Sequence, residues 1–245
     1  MLVNDGVYRS RILVSLLITL GSQNTLLTWA GGRRLRRRVV RTLLTLAPLI
    51  AFFCLIFVDF ASLYLYTWRK RCEVEVFDTY GYVRGVVEKC YYDRLELRDY
   101  MHLGASDAKV IVIATHYFTS PQGEVGLGTS ERAELYYPLL HPIRALQAVR
   151  GVIQPGVVYV AAPPRVFSAS NLTGKVVILL TCKLPRIEEV VNALIDGGAH
   201  LVIVSNTPVL RPSELRYLLE LVLQRVDNPD ELCALKLFTC YGGFK

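Results

Sequence analysis

Residues 109–115 read KVIVIAT and residues 176–181 read VVILLT. Neither run alternates between apolar and polar side chains. Each is a short continuous apolar stretch rich in β-branched residues, the pattern of a strand covered on both faces, as in parallel sheets flanked by helices. Residues 157–162 (VVYVAA) and 201–205 (LVIVS) repeat the pattern, 73–77 (EVEVF) alternates with period two, and 95–97 reads as a short strand. Helical signals fall between them. Val83, Val86, Val87 and Cys90 are spaced i, i+3, i+4, i+7, which predicts an amphipathic helix over 81–91. Residues 130–149 are helical in pattern, broken near His141-Pro142. Residues 186–196 form a helix stopped by Gly197-Gly198, and Pro212 opens another with the stripe Leu215, Leu218, Leu219 and Val222. Strands alternating with helices predict an α/β domain over residues 72–245, a three-layer sandwich around a mostly parallel sheet.

The first 71 residues are of a different kind. Residues 42–58 (TLLTLAPLIAFFCLIFV) carry no charge, and 60–66 (FASLYLY) extend the run past Asp59. A bilayer core needs about 20 apolar residues, so 42–66 is expected to span a membrane. Tyr64, Tyr66 and Trp68 mark the interface, and Arg69-Lys70-Arg71 close the segment. Pro48 is expected to kink the helix. Asp59 reads as a carboxylate that snorkels or pairs, with an intramembrane function as the competing reading. Residues 12–30 begin with an apolar run, interrupted by Gly21-Ser22-Gln23-Asn24. They read as a second span, an interfacial helix or a signal sequence, with a helical hairpin favoured. The basic loop at 31–41 holds six arginines, and the positive-inside rule puts it in the cytoplasm and residues 72–245 outside.

Charge excludes one class of function. The 245-residue chain carries a net +7, but residues 1–71 hold eleven Arg/Lys against Asp5 and Asp59, whereas 72–245 hold seventeen basic and nineteen acidic side chains. The basic character belongs to the membrane-proximal end, and no nucleic acid is expected as a partner. Membrane lipid is expected, together with a protein or peptide.

Ligands of open α/β sheets lie at the carboxyl ends of the strands. His116 directly follows residues 109–115, and Cys182 directly follows 176–181. If those strands are neighbours, imidazole and thiol enter one crevice as base and nucleophile. A helix beginning near Arg186 would favour the thiolate if it starts close enough.

These segments resemble a family. Residues 167–184 (FSASNLTGKVVILLTCKL) are similar to the strand-and-nucleophile segment of caspase-like cysteine peptidases, the group of caspases, gingipains, clostripain and CHAT-domain proteases. Residues 193–209 (ALIDGGAHLVIVSNTPV) look like the helix, Gly-Ala turn and strand that follow, and 109–128 (KVIVIATHYFTSPQGEVGLG) like the strand bearing the catalytic His. The resemblance covers roughly residues 72–226. It implies a caspase-like sheet and peptide-bond hydrolysis, with Cys182 as nucleophile and His116 as general acid/base. The chain departs from the family in three places: Tyr117 follows His116 where Gly is usual, Leu180 stands where Asp often precedes the nucleophile, and Lys183-Leu184 stand where Ser-Gly often follows it. A catalytically inactive fold serving as a membrane-tethered interaction or assembly module is therefore the alternative. A nucleotide-binding doubly wound domain ranks last, since it lacks a phosphate motif.

The remaining candidates read as structural. Gly123–Gly128 (GEVGLG) is expected to be a mobile loop beside the site, and Ser130 a helix cap. His141 shows no partner in sequence, and Glu188 and Glu189 read as solvated charge. No Cys or His spacing fits zinc, and no cofactor is expected. An outside domain allows Cys72 to pair with Cys90 and Cys233 with Cys240, leaving Cys182 as a thiol, although spacing does not fix connectivity. Asn171-Leu172-Thr173 matches the glycosylation triplet.

Overall fold

The computed structural model describes residues 33–64, 72–79, 81–87, 90–120, 122–154, 157–182, 185–207 and 211–242. The candidate segment 12–30 lies outside the described residues. The chain divides into two units, residues 1–53 and 54–245.

Helix α1 runs Arg33–Tyr64, with Pro48 inside it. The expected basic loop is therefore helical from Arg33 onward. Thr42–Tyr64, 23 residues, is long and apolar enough to cross a membrane. Its exposed side chains include Leu44, Ile50, Phe53 and Phe57, as on a helix facing apolar surroundings.

In the second unit a six-stranded sheet has the order β10-β9-β8-β3-β1-β2. Its strands are β1 (Val74–Asp78), β2 (Tyr91–Asp93), β3 (Val110–Ala114), β8 (Val176–Leu180), β9 (Leu201–Ser205) and β10 (Phe238–Gly242). Every pairing is parallel except β9 with β10. The unbroken apolar runs have the burial they imply, since all five residues of β3, β8 and β9 are buried. Their side chains divide by alternation. Ile111, Ile113, Val177, Leu179, Val202 and Val204 enter one core with Val190, Val191 and Leu194 of α6 (Ile187–Asp196). Val110, Val112, Ile178, Leu180 and Ile203 enter another with Leu215, Leu218, Leu219 and Val222 of α7 (Pro212–Leu223). The domain is thus mixed α/β with a mostly parallel central sheet and apolar cores on both faces.

A second, four-stranded antiparallel sheet was not expected. Its order is β4-β5-β7-β6, from β4 (Tyr117–Thr119), β5 (Val125–Arg132), β6 (Val149–Gln154) and β7 (Val157–Ala162). The run at 157–162 is a strand as read, but it belongs here and not in the parallel sheet. The helix expected over 130–149 is replaced by the end of β5, two short helices, α3 (Tyr137–Leu140) and α4 (Pro142–Gln147), and the start of β6. Pro138 and Pro142 each stand in the first turn of a helix, and Pro142 stops α3 from running on. β5 is held by its glycines: a Cβ on Gly126 would lie 2.9 Å from Ala161 Cβ, so only glycine lets β5 and β7 approach this closely.

The described residues of 81–91 do not form the expected helix. Gly81 and Gly85 have φ of 74° and 85°, and residues 81–87 turn around an Arg84↔Val87 bridge. Val83 is nevertheless buried and Val86 and Val87 pack beside it, so the apolar spacing served a turn. The buried Asp78 carboxylate holds that turn, accepting from Val83 N at 2.7 Å and Tyr91 Oη at 2.7 Å. No strand forms at 95–97; Leu97 opens α2 (Leu97–Met101). The remaining short helices are α5 (Pro164–Ser168) and α8 (Asp230–Cys233). Disulfides join Cys72 to Cys90 and Cys233 to Cys240, with Cα–Cα distances of 6.3 and 5.7 Å.

Asp59, in the last turns of α1, is 2% exposed and paired. Its carboxylate accepts from Ile143 N at 2.9 Å and Arg144 N at 3.1 Å, at the start of α4. Its Oδ1 lies 3.1 Å from Arg144 Nε, an ion pair whose N–H points off the line of a hydrogen bond. Arg144, equally buried, also reaches Glu131 at 2.6 Å, Glu96 at 3.2 Å and Ser62 Oγ at 2.9 Å. His141 Nδ1 stands 3.4 Å from Asp59 Oδ1, the partner invisible in sequence.

Candidate active site

β3 and β8 are adjacent and parallel, with Ala114 paired to Leu180. The pairing continues one step, through a bond from Thr115 N to Leu180 O at 3.1 Å. His116 and Cys182 each stand two residues beyond that last register pair. Both are half-buried, and Cys182 is a thiol outside both disulfides. The condition posed by the sequence, that these two strands be neighbours, is met.

The surroundings fix the backbone on both sides. Gly128 N donates to His116 O at 2.7 Å, and Thr115 Oγ1 donates to Gly128 O at 2.8 Å, so β5 braces the end of β3. Only the first part of the GEVGLG segment is loop: Gly123 and Glu124 lie in the β4–β5 turn, and residues 125–128 are the start of β5. Ser130 caps no helix; it lies in β5 and donates through Oγ to Leu95 O at 2.8 Å. On the β8 side, Thr181 N donates to Ser205 Oγ at 3.1 Å, and that hydroxyl donates back to Thr181 O at 2.6 Å. The Thr181 hydroxyl itself is buried with no hydrogen-bond partner among the described residues. Tyr117 bridges the two sides by donating to Pro185 O at 3.0 Å. Burial pushes its phenol up to about 12, so it remains a donor at neutral pH.

Tyr82 is a member of the site that sequence reasoning missed. Its ring meets the His116 imidazole edge-on, with centroids 6.1 Å apart and planes at 79°. Nothing in its spacing marks it, because the turn held by Asp78 brings it there. Desolvation by burial pushes the His116 pKa below its ordinary value of 6.5. The imidazole is therefore neutral at pH 7, the form that accepts a proton.

Helix α6 begins at Ile187, five residues after Cys182. Its first turn holds Glu188 and Glu189, which already oppose the positive end of the helix. Arg186, with φ of 69°, donates to Glu189 and to Gly123 O, so Glu189 is an ion-pair partner. A groove of about 380 Å³ runs between the β4–β5 turn at Gly123 and Glu124, Pro163–Arg165, and Arg186. Its walls thus come from the β4–β5 turn, the segment from β7 into α5 and the residues before α6, and Arg165 and Arg186 are half-exposed along it. No protein-family model matches the chain, and no curated protein matches it.

Proposed function

We propose that residues 72–245 are a caspase-like cysteine peptidase domain, a three-layer α/β sandwich anchored by α1 and facing outside the cytoplasm. The observation that supports this reading is the adjacency of β3 and β8, after which His116 and Cys182 each follow two residues past the last register pair. Neutral His116 takes the thiol proton as Cys182 Sγ bonds to the substrate carbonyl carbon. The C–N bond breaks as His116 returns that proton to the leaving amine, and water then hydrolyses the thioester. Backbone N–H groups beside Cys182 are the natural donors to the oxyanion. The outward orientation is supported by the arginines before the span, the two disulfides and the exposed Asn171 of the glycosylation triplet.

Two observations favour the second reading, a non-catalytic interaction module of the same fold. Burial disfavours the imidazolium that would hold a thiolate, and Glu188 and Glu189 occupy the end of α6 that would otherwise stabilise one. The alkylation rate of Cys182 against pH separates the readings, measured by mass spectrometry on the full chain in detergent, with and without His116→Ala. Fast labelling at or below pH 7 that slows in the variant supports the dyad. Labelling with a midpoint near about 8.5 that ignores the substitution leaves the module.

A further inference from the structure

The segment that receives Asp59 carries an unusual surface. Residues 135–147 (LYYPLLHPIRALQ) contain one formal charge, Arg144, and it is turned inward onto Asp59, Glu96 and Glu131. What faces outward is apolar: Leu135 is 86% exposed, Leu146 75%, and Tyr136, Leu139 and Leu140 are each more than half exposed. A soluble surface seldom gathers this much apolar area without a partner.

The position of Asp59 identifies the partner. Asp59 lies five residues before the end of the candidate span at Tyr64, about 7.5 Å along a helix axis. A 23-residue span covers about 34 Å against a hydrocarbon core of about 30 Å, so Asp59 falls within the apolar boundary of the bilayer. One side of this last stretch is closed by protein, with Asp59 and Leu63 buried and His102 bonded to Leu63 O. The other side, Phe57, Phe60 and Tyr64, remains exposed. The hydrogen bonds from Ile143 N and Arg144 N to Asp59 therefore hold α3 and α4 at the depth of the membrane interface. Arg165, half-exposed, borders the patch through its bonds to Leu146 O and Gln147 O, where a lipid phosphate would meet it.

We propose that Leu135, Tyr136, Leu139, Leu140 and Leu146 form a membrane-embedded face of the domain, dipping into the acyl boundary of the bilayer beside α1. The occupant of this face is phospholipid. The inference rests on the reading of α1 as a span and needs no catalytic activity. By this device the domain is seated directly on the membrane surface.

The test uses the full chain in vesicles of phosphatidylcholine and phosphatidylglycerol, with Cys54→Ser and Cys182→Ser to remove the two thiols. Single cysteines introduced by Leu139→Cys or Leu146→Cys, both at exposed positions, are labelled with an environment-sensitive fluorophore. Phe57→Cys reports the span, and Tyr217→Cys reports an exposed aromatic position on α7. Lipid bearing a spin label near the headgroup should quench positions 139 and 146 strongly and leave 217 bright, with 57 quenched by lipid labelled on the acyl chain. Quenching at 57 with none at 139 and 146 overturns the proposal while the span stands. Formation of 139–139 crosslinks between chains without lipid quenching also overturns it, since the face would then hold a second copy. No quenching at any position removes the span and the proposal together.

Discussion

Arg144→Met is the most informative perturbation of the domain. The guanidinium side chain is 3% exposed and serves three carboxylates, Asp59, Glu96 and Glu131. Methionine keeps much of the volume and removes the only cation fully enclosed there. Breaking a buried ion pair from one side costs about 3–5 kcal/mol. The lower end applies, because Asp59 keeps two backbone N–H donors and His141, and Glu96 is one-third exposed. Glu131 carries the loss: it is 11% exposed and keeps only the bond from Leu97 N. A cost of about 3 kcal/mol lowers the melting temperature of a chain this size by roughly 6–12 °C. Its pH dependence has a definite sign. Desolvation already holds the Glu131 pKa above 4.5 with Arg144 in place, and removing Arg144 raises it further. A group whose folded pKa is raised contributes full stability below its unfolded pKa and loses it as pH rises through the folded value. The deficit of Arg144→Met should therefore shrink as pH falls from 7 toward 5, and Glu131→Gln added to Arg144→Met should recover part of it at pH 7. Thermal melts of the detergent-solubilised chain read all of this. A drop under about 2 °C at pH 7, or one that is the same at pH 5, would refute the reasoning.

Two further outcomes follow from other parts of the domain. Gly197→Ala should destabilise by about 1–3 kcal/mol, because the new Cβ would stand 2.3 Å from Phe167 O, a backbone atom unable to move aside; an unchanged melt would mean that α5 and α6 are not packed this closely. His116, held below 6.5 by burial, contributes stability that is complete above pH 6.5 and is lost as pH falls through its lowered pKa, so the melting temperature of the native chain should fall relative to that of His116→Gln as pH drops from 7 to 5. Parallel pH profiles would show the imidazole to be solvated.

What could be read from the residues follows the physics of burial. β3, β8 and β9 are covered on both faces, so their sequences contain little else than apolar residues, and their bounds are nearly those of the quoted runs. α6 and α7 carry clear stripes, with a clear stop for α6 and a clear start for α7, and at Gly197-Gly198 it is Gly198 that takes the left-handed conformation, with φ of 96°. β5 was unreadable for the opposite reason. Gly126 serves close approach to β7, and the polar end is a strand because Arg132 pairs with Tyr159 of β7 and Ser130 N donates to Leu95 O. Residues 81–91 misled because four apolar positions at helical spacing also suit a turn that places Val83 under the sheet. His116 and Cys182 were found by their place after buried strands. Tyr82 and the Asp59–Arg144 pair were not, because each depends on segments far apart in sequence meeting in space.

The two disulfides have a consequence for how the chain matures. They fasten opposite borders of the six-stranded sheet: Cys90 immediately precedes the edge strand β2, and Cys240 lies in the edge strand β10. Each joins cysteines close in sequence, 18 and 7 residues apart, and short loops close at the smallest entropic cost. During oxidation the four bridging sulfurs meet their neighbours before they meet Cys182, which leaves the unfinished chain at the sheet's centre with few competitors for its thiol. On the outward orientation proposed above, the arrangement of cysteines along the chain acts as a kinetic guard on Cys182, favouring the two short-range pairings over any that would engage its thiol.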